Sequence, residues 1–365
     1  MAIEERFSVR TDLALEAHEM NVESDPAQKG HDGVDVTEEQ LDDIKLTLVQ
    51  VDPEGAERIG KKAGNYITIE SQAIRKQDTK MQVEVSTCLS KQIKKLLADN
   101  DIKDTDRCLV VGLGNHRVTP DAIGPFAIDE LVVTSHLFEL QPETVAEGYR
   151  NVSAVTPGVM GITGIETSDM IHGIIHETNP DFVIAIDALA SRSINRLNAT
   201  IQLSDTGIHP GSGVGNKRKE ISKETYGIPV FSIGVPTVVD AVTITNDAID
   251  YVLKHFGREW REKDRPSNAL SPALNPFEKR KQLTEDDLPS EEQSQVVLGM
   301  LGTLKESEKR QLIKEVLTPL GHNLMVTPKE VDSFVEDMAH VVSAGINGAL
   351  HPVIEDGDAQ SYTKF

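Results

Sequence analysis

Aromatic side chains are scarce in this chain, 4% of 365 residues with a single tryptophan, so its core cannot rest on stacked rings. Cysteine is scarcer still. Cys88 and Cys108 stand in apolar surroundings and are too few for a disulfide framework or a Cys-rich zinc site, which fits a reducing cytoplasm. Positive charge is short as well: 37 Lys and Arg face 59 Asp and Glu, a formal net charge of −22. Such a surface repels phosphate backbones and anionic membranes, which excludes direct nucleic-acid binding as a main activity. No stretch approaches the roughly 18 consecutive apolar residues of a spanning helix. The opening "MAIEERFSVRTD" carries charge where a signal peptide would have its apolar region, so a protein that is neither exported nor membrane-bound is expected.

What remains is Val, Ile, Leu and Ala, the material of buried parallel strands and their covering helices. "KLTLVQV" (45–51) and "YITIE" (66–70) alternate as strands do. In "VEVSTCLSKQIKKLLADN" the period changes, and Val85, Cys88, Leu89, Ile93, Leu96 and Leu97 share one helical face that ends near Asn100. "CLVVGLGN" (108–115), "DFVIAID" (181–187) and "IPVFSIGVP" (228–236) read as buried strands. Between the first two lies a helix bearing Met170, Ile171, Ile174 and Ile175 and ending at Asn179-Pro180. Strands separated by helices are βαβ units, so the expected fold class is α/β, a mainly parallel central sheet flanked by helices, followed by a helical C-terminal segment. The Pro-, Asn- and charge-rich text from 257 to 293 predicts an exposed connection, with the α/β core ending at 256 and 294–365 as a helical segment packed on it. Thr327 and Glu330 predict a capping box opening the last helix, whose stripe runs through Val331, Phe334, Val335, Met338, Val341 and Val342.

Open parallel sheets bind ligands beyond the carboxyl ends of their strands. The residues there are Asp121, in "GNHRVTPDAIGP", and Asp187, in "AIDALASR". An acid at the start of a helix after a strand ordinarily caps it or complements its dipole. If the two carboxyls converge, however, repulsion lets them share one proton, and the pair can activate water and polarise a carbonyl. "SDTGIHPGSGVGNKRKE" (204–220) is a candidate substrate loop through His209, Gly211, Gly213, Gly215, Asn216 and Lys217. It is not a P-loop, because Gly215 is followed by Asn216 where the motif needs Lys and then Ser or Thr, and "GLGN" lacks the third glycine of the dinucleotide fingerprint. His116 or His209 with the two acids would suit a metal, but no HExxH or close His pair supports one, so no metal and no cofactor are expected. A non-catalytic nucleotide- or protein-binding module is the alternative from another class.

Several strings together resemble one family. "SVRTDLALEAHEM", "GLGN..VTPDAIGP", "HLFELQPETVAEGYR", "SAVTPGVMGITGIETSDMI", "PDFVIAIDALASRS", "SDTGIHPGSGVGNKRKEIS", "IGVPTVVDAVT" and "LGHNLMVTPKEVDSF" are similar to the germination proteases, or spore proteases, of spore-forming bacteria, from about Ser8 to about His351. Departures are local, at His116-Arg117 and near 265–276. The resemblance implies an endopeptidase that starts degradation of small acid-soluble spore proteins at germination, made as a self-processing zymogen in the developing spore and assembled as a homotetramer. It implies a fold like that of the hydrogenase maturation proteases and places an aspartic dyad on Asp121 and Asp187. It also implies cleavage after Glu or Asp before a hydrophobic residue. "TDLALE" (11–16) looks like such a site, which puts the processing cut between Asp12 and Leu13, makes 1–12 a propeptide and makes 13–256 the catalytic core.

Overall fold

The computed structural model describes residues 11–24, 33–211, 218–261, 283–284, 287–299, 302, 304, 306–317 and 324–354. These gather into two compact units, one within 10–239 and 327–365, the other within 240–326. The first begins with α1 (Ala14–Ser24), β1 (Val34–Leu41), β2 (Ile44–Val51), α2 (Pro53–Ile59), β3 (Gly64–Glu70) and α3 (Thr79–Asp99). It continues through β4 (Cys108–Gly112), α4 (Ile123–Asp129), α5 (Ser135–Leu140), β5 (Val152–Val155), α6 (Met160–Thr163) and α7 (Thr167–Thr178). β6 (Phe182–Ser191), β7 (Thr200–Ser204), α8 (Lys223–Tyr226) and β8 (Val230–Asp240) complete the sheet.

The strand order is β1-β2-β3-β7-β8-β6-β4-β5. From β8 through β6 and β4 to β5 the pairing is parallel, whereas β1-β2-β3-β7-β8 is antiparallel throughout. The mainly parallel sheet expected above is therefore corrected to a mixed one. The cause is local: β1 and β2 are joined by Asp42-Asp43 alone, with Asp42 at φ 48°, and so short a turn can only return the chain antiparallel. β1 has no counterpart in the sequence reading. Only its first residue is buried, so this edge strand carries charge instead of an apolar alternation, which discourages pairing with another chain.

Apolar side chains of the sheet fall on two faces. Ile67, Ile69, Ile184, Ile186, Ile201 and Leu203 meet α3 and the long helix of residues 331–350 in the main core. On the opposite face Val183 and Ala185 lie with Ile171 of α7, while Val49, Val51 and Tyr66 lie with Ala14 and Leu15 of α1. α3 buries the face expected of it and stops at Asn100; α7 stops at Asn179, which takes the left-handed φ of 45°.

The second unit contains α9 (Ala241–Arg261), α10 (Glu291–Leu298), α11 (Glu306–Leu317) and the short β9 (Met325–Val326). Within the stretch read as a connection, α9 runs on to Arg261, and Arg258 and Arg261 both bond the buried carboxylate of Asp287. Most of the Pro- and Asn-rich text between them lies outside the described residues. The chain then re-enters the first unit as α12 (Val331–Leu350), buried along most of its length. The capping box is corrected: Glu330 is the N-cap and makes no side-chain cap bond, because the Thr327 hydroxyl is engaged elsewhere, donating to the Thr237 carbonyl at 2.9 Å. Asn347 and His351 anchor the far end. Asn347 accepts from the Val132 N–H and donates to the Glu130 carbonyl, and His351 bridges the Arg150 N–H and the Val132 carbonyl. The buried His351 ring is held below the usual histidine pKa by its desolvation.

One contact between β4 and α4 bears on everything downstream. A Cβ on Gly124 would stand 2.3 Å from the Leu113 carbonyl oxygen and 2.8 Å from that of Ile186, and one on Gly112 would stand 2.5 Å from the Gly124 carbonyl oxygen. Helix and strands thus touch backbone to backbone. Gly124→Ala should force them apart at a cost of about 1–3 kcal/mol, read as a lowered urea midpoint. It should also reduce activity more than stability, because the displaced segment carries Asp121. A variant with wild-type stability and rate would refute this.

Candidate functional site

Asp187 is the sixth of the ten residues of β6. The sequence placed it at the start of a helix, but the strand runs on through it to Ser191 and only a short 3-10 turn, Ile194–Arg196, follows. It caps nothing, so the structural role that such acids ordinarily have does not apply. Its alternation with Ile186 puts it on the face of Val183 and Ala185, where it is 5% exposed. Its Oδ1 accepts the Ala188 N–H at 2.9 Å. Burial, then the charges of Asp121 and Asp12, push its pKa well above the usual carboxylate range, with only the Ala188 bond pulling the other way.

Asp121 closes a 3-10 turn, Thr119–Asp121, just before α4, whose N-cap is Ala122 with no side-chain bond. Its backbone is fixed from several sides. The Asn115 N–H donates to its carbonyl at 2.9 Å and its own N–H donates to Val118 at 2.7 Å. Gly114, at φ 117°, is bare where a Cβ would stand 1.9 Å from that carbonyl oxygen. The Leu113 N–H bonds the Ile186 carbonyl at 2.8 Å, joining the glycine turn to the residue before Asp187. From β8, the Thr237 hydroxyl donates to the Pro120 carbonyl at 2.6 Å. Thr237 can do so because the β6-β8 register shifts between Leu189 and Ala190, leaving it as the extra residue of a bulge. Burial raises the Asp121 pKa, while the Asn115 N–H and the Arg218 charge oppose the rise. The two acids thus lie near enough for the charge of Asp121 to act on Asp187 but are unequally housed, one buried and the other partly buried and within the influence of Arg218.

Residues 11–24 dock onto the same face. Asp12 takes both main-chain groups of Ala190: its N–H donates to the Ala190 carbonyl and its Oδ2 accepts the Ala190 N–H, each at 2.9 Å. Leu13 and Ala14 are fully buried. The Lys61 ammonium donates to the Thr11 carbonyl at 2.9 Å. Its burial lowers its pKa against the opposing charges of Asp12 and Glu16. Glu16, 1% exposed, accepts the Arg192 and Ser193 N–H groups at 2.6 and 3.0 Å and pairs with Arg196 at 3.2 Å. Arg196 also holds Glu19 and Glu70.

The other sequence candidates have surroundings of their own. His209 faces Glu220 at 3.5 Å and is half-exposed, Gly211 is a turn residue at φ 70°, and Gly213, Gly215, Asn216 and Lys217 lie outside the described residues. His116 stands edge-on to Phe126, with ring centroids 5.1 Å apart. With Gly114, Asn115, Arg117, Asp129 and Ile162 it lines a cavity of about 290 Å³. Among the described residues, no group of three or more His, Cys, Asp or Glu could hold a metal ion, and no helix is long and apolar enough to cross a membrane. Lys61, Ala190, Gln202 and Arg218 are functional candidates that the sequence reading did not name. Ala190 and Arg218 lie inside segments it singled out, after Asp187 and in the glycine-rich loop, whereas Lys61 and Gln202 carry no motif signal.

A family model described as germination protease matches residues 14–363. The chain is 62% identical over 362 residues to the germination protease of Geobacillus sp. (strain WCH70), covering 98% of this chain and 97% of that one. It is 60% identical over 365 residues to the germination protease of Halalkalibacterium halodurans, covering 98% of each chain. That of Oceanobacillus iheyensis is 60% identical over 361 residues, again covering 98% of each.

The raised Asp187 pKa has a consequence for stability that does not depend on activity. A group whose folded pKa lies above its unfolded value contributes fully below the unfolded value, about 3.9 for Asp. That contribution is lost as pH rises through the folded value. Asp187→Asn, which has no charge to bury, should therefore be more stable than wild type at neutral pH, by about 1–3 kcal/mol, and about equal to it at pH 4. Urea denaturation at both pH values measures the difference. A variant destabilised equally at both would contradict a neutral, buried Asp187.

Proposed function

The chain belongs to the germination protease family, and from that premise we propose that it cuts peptide bonds with an aspartic dyad, Asp121 and Asp187, and that 1–12 is a propeptide removed between Asp12 and Leu13. It is an endopeptidase acting in spore germination. The observation that carries the dyad is the environment of Asp187, a buried carboxyl with both Asp121 and Asp12 raising its pKa.

The unequal housing of the two acids supports distinct roles. Asp187, more deeply buried and more strongly raised, holds the proton. Asp121, half-exposed and eased by Arg218 and the Asn115 N–H, is the carboxylate. Asp121 takes a proton from water as the oxygen attacks the carbonyl carbon, while Asp187 gives its proton to the carbonyl oxygen. As the tetrahedral intermediate collapses, the carbon–nitrogen bond breaks, Asp121 protonates the leaving amine, and Asp187 recovers its proton from the oxygen.

The Asp12–Leu13 bond suits this centre because Asp12 is bonded to Ala190, three residues beyond Asp187 on the same strand. Family membership supports the rest of the reading: small acid-soluble spore proteins as substrates, a homotetramer, residence in the developing spore and spore core, and likeness to the hydrogenase maturation proteases. The division into catalytic core, connection and C-terminal helices belongs to the same proposal. The metal alternative through His116 or His209 has less support, since Phe126 and Glu220 are the recorded neighbours of those rings.

Asp121→Asn and Asp187→Asn should each slow peptide cleavage by roughly 10²–10⁴-fold or more without loss of fold, since an amide cannot exchange the proton. Normal turnover by either would remove that residue from the dyad. Activity should survive a strong chelator; its loss on chelation and return with added metal would favour the metal reading. Processing should be promoted by acid, because above the raised pKa both carboxyls are ionised and none can donate. N-terminal sequencing should find Leu13, and Asp12→Ala should block the cut. A mature chain starting elsewhere, or an Asp187→Asn chain that processes itself undiminished, would overturn the zymogen reading.

A further inference from the structure

Asp12 and Ala14 are both gripped by one side chain on the neighbouring part of the sheet. Gln202, on β7 and 7% exposed, accepts the Ala14 N–H on Oε1 at 2.7 Å, and its Nε2 faces the Asp12 carbonyl oxygen at 3.4 Å. One carboxamide therefore spans the Asp12–Leu13 peptide, with its acceptor on the residue after Leu13 and its donor on the carbonyl of that bond. The register explains the fit. Gln202 pairs with Gly234 of β8, and Gly234 pairs with Asp187 of β6. Residues in register across neighbouring strands point to the same face. With strands about 4.8 Å apart, the Gln202 and Asp187 Cα atoms lie about 10 Å from each other. Gly234 between them has no side chain of its own, and the Leu189 side chain packs over it, so the amide and the carboxyl stand on one face on either side of that leucine.

We infer that Gln202 is a catalytic residue of the dyad's reaction, its Nε2 donating to the carbonyl oxygen of the bond being cut while its Oε1 fixes the chain two residues on. The inference rests on the proposed cleavage at Asp12–Leu13. The long 3.4 Å contact is what a donor aimed at a developing charge gives in the ground state. As the carbonyl carbon becomes tetrahedral, its oxygen gains charge and shifts, and a preorganised N–H in a water-poor site stabilises that state more than the planar one. Asp187 supplies a proton to the same oxygen from the other side, so the pair polarises the carbonyl between them. The roles of the two carboxamide atoms are separable: losing the donor should slow the chemistry, whereas losing the acceptor should loosen the chain.

The test uses the full-length chain, whose own Asp12–Leu13 bond is already in place. The first-order rate at which a Leu13 terminus appears after acidification is followed across pH for wild type, Gln202→Met and Gln202→Glu, with urea denaturation as the control for fold. Gln202→Met, close in shape but with neither donor nor acceptor, should process roughly 10²–10³-fold more slowly. Gln202→Glu keeps the acceptor and can donate only when protonated, so its deficit relative to wild type should narrow as pH falls; a merely structural role would not produce that narrowing. If wild type yields a Leu13 terminus and folded Gln202→Met matches its rate, the inference fails and the dyad reading stands. The same holds if the Gln202→Glu deficit is constant with pH. If wild type yields no Leu13 terminus at any pH, the cleavage reading fails and the inference with it.

Discussion

A carboxyl in the middle of a strand, on a face otherwise given to Val183 and Ala185, is the constraint around which this structure is arranged. Burying an ionised carboxylate is prohibitive, so such a group stays neutral or acquires a partner. The neighbours recorded for Asp187 do the reverse of pairing: Asp121 and Asp12 add negative charge. The fold holds the acids together nonetheless, through contacts that belong to the backbone and so do not relax when the carboxyls titrate. The Gly112–Gly124 crossing, the Leu113–Ile186 bond and the Thr237 bulge each fix main chain. Strain of that kind is characteristic of a site whose geometry is set by function, since for stability alone an apolar residue at 187 would serve better.

Positive charge, scarce in the chain as a whole, meets acids at the docked N-terminal stretch and at Asp121. Lys61 lies against Thr11, Asp12 and Glu16, Arg196 gathers Glu16, Glu19 and Glu70, and Arg218 eases Asp121. None of these cations is assigned by a motif. Their common feature is position, each reaching acids that the sheet or the first helix has already placed. The net charge thus says what the surface repels, and the local cations say where acids must be tolerated close together.

Legibility in the sequence followed burial. Strands buried on both faces, such as β4 and β6, and helices with one apolar face, such as α3 and α7, announced themselves by composition and period. β1 did not, because an exposed edge strand has no apolar alternation to read. The antiparallel half was misjudged because strand direction depends on connection length, and the Asp42-Asp43 turn carries no Gly to mark it. For the site, Asp121 and Asp187 were legible as acids after apolar runs, but the reason was partly mistaken: Asp187 does not follow its strand, it sits inside it. Gln202 was invisible for a different reason. A polar residue in a five-residue strand looks like ordinary alternation, and only the register with Gly234 and Asp187 gives it a partner.

The docking of residues 11–24 is uneven along its length, and the unevenness has a direction. Past Leu13, the chain is held by the apolar burial of Ala14 and Leu15, by the Glu16 carboxylate on the Arg192 and Ser193 N–H groups, and by the Arg196 ion pairs. Before Leu13, the contacts of Thr11 and Asp12 include the Asp12–Ala190 pair, the Gln202 contact, the bond from Lys61 to the Thr11 carbonyl and the bond from the Thr11 hydroxyl to Glu16. Breaking the Asp12–Leu13 bond would therefore leave α1 held in the fold by contacts of its own. The family match begins at residue 14, where the firmly held part begins.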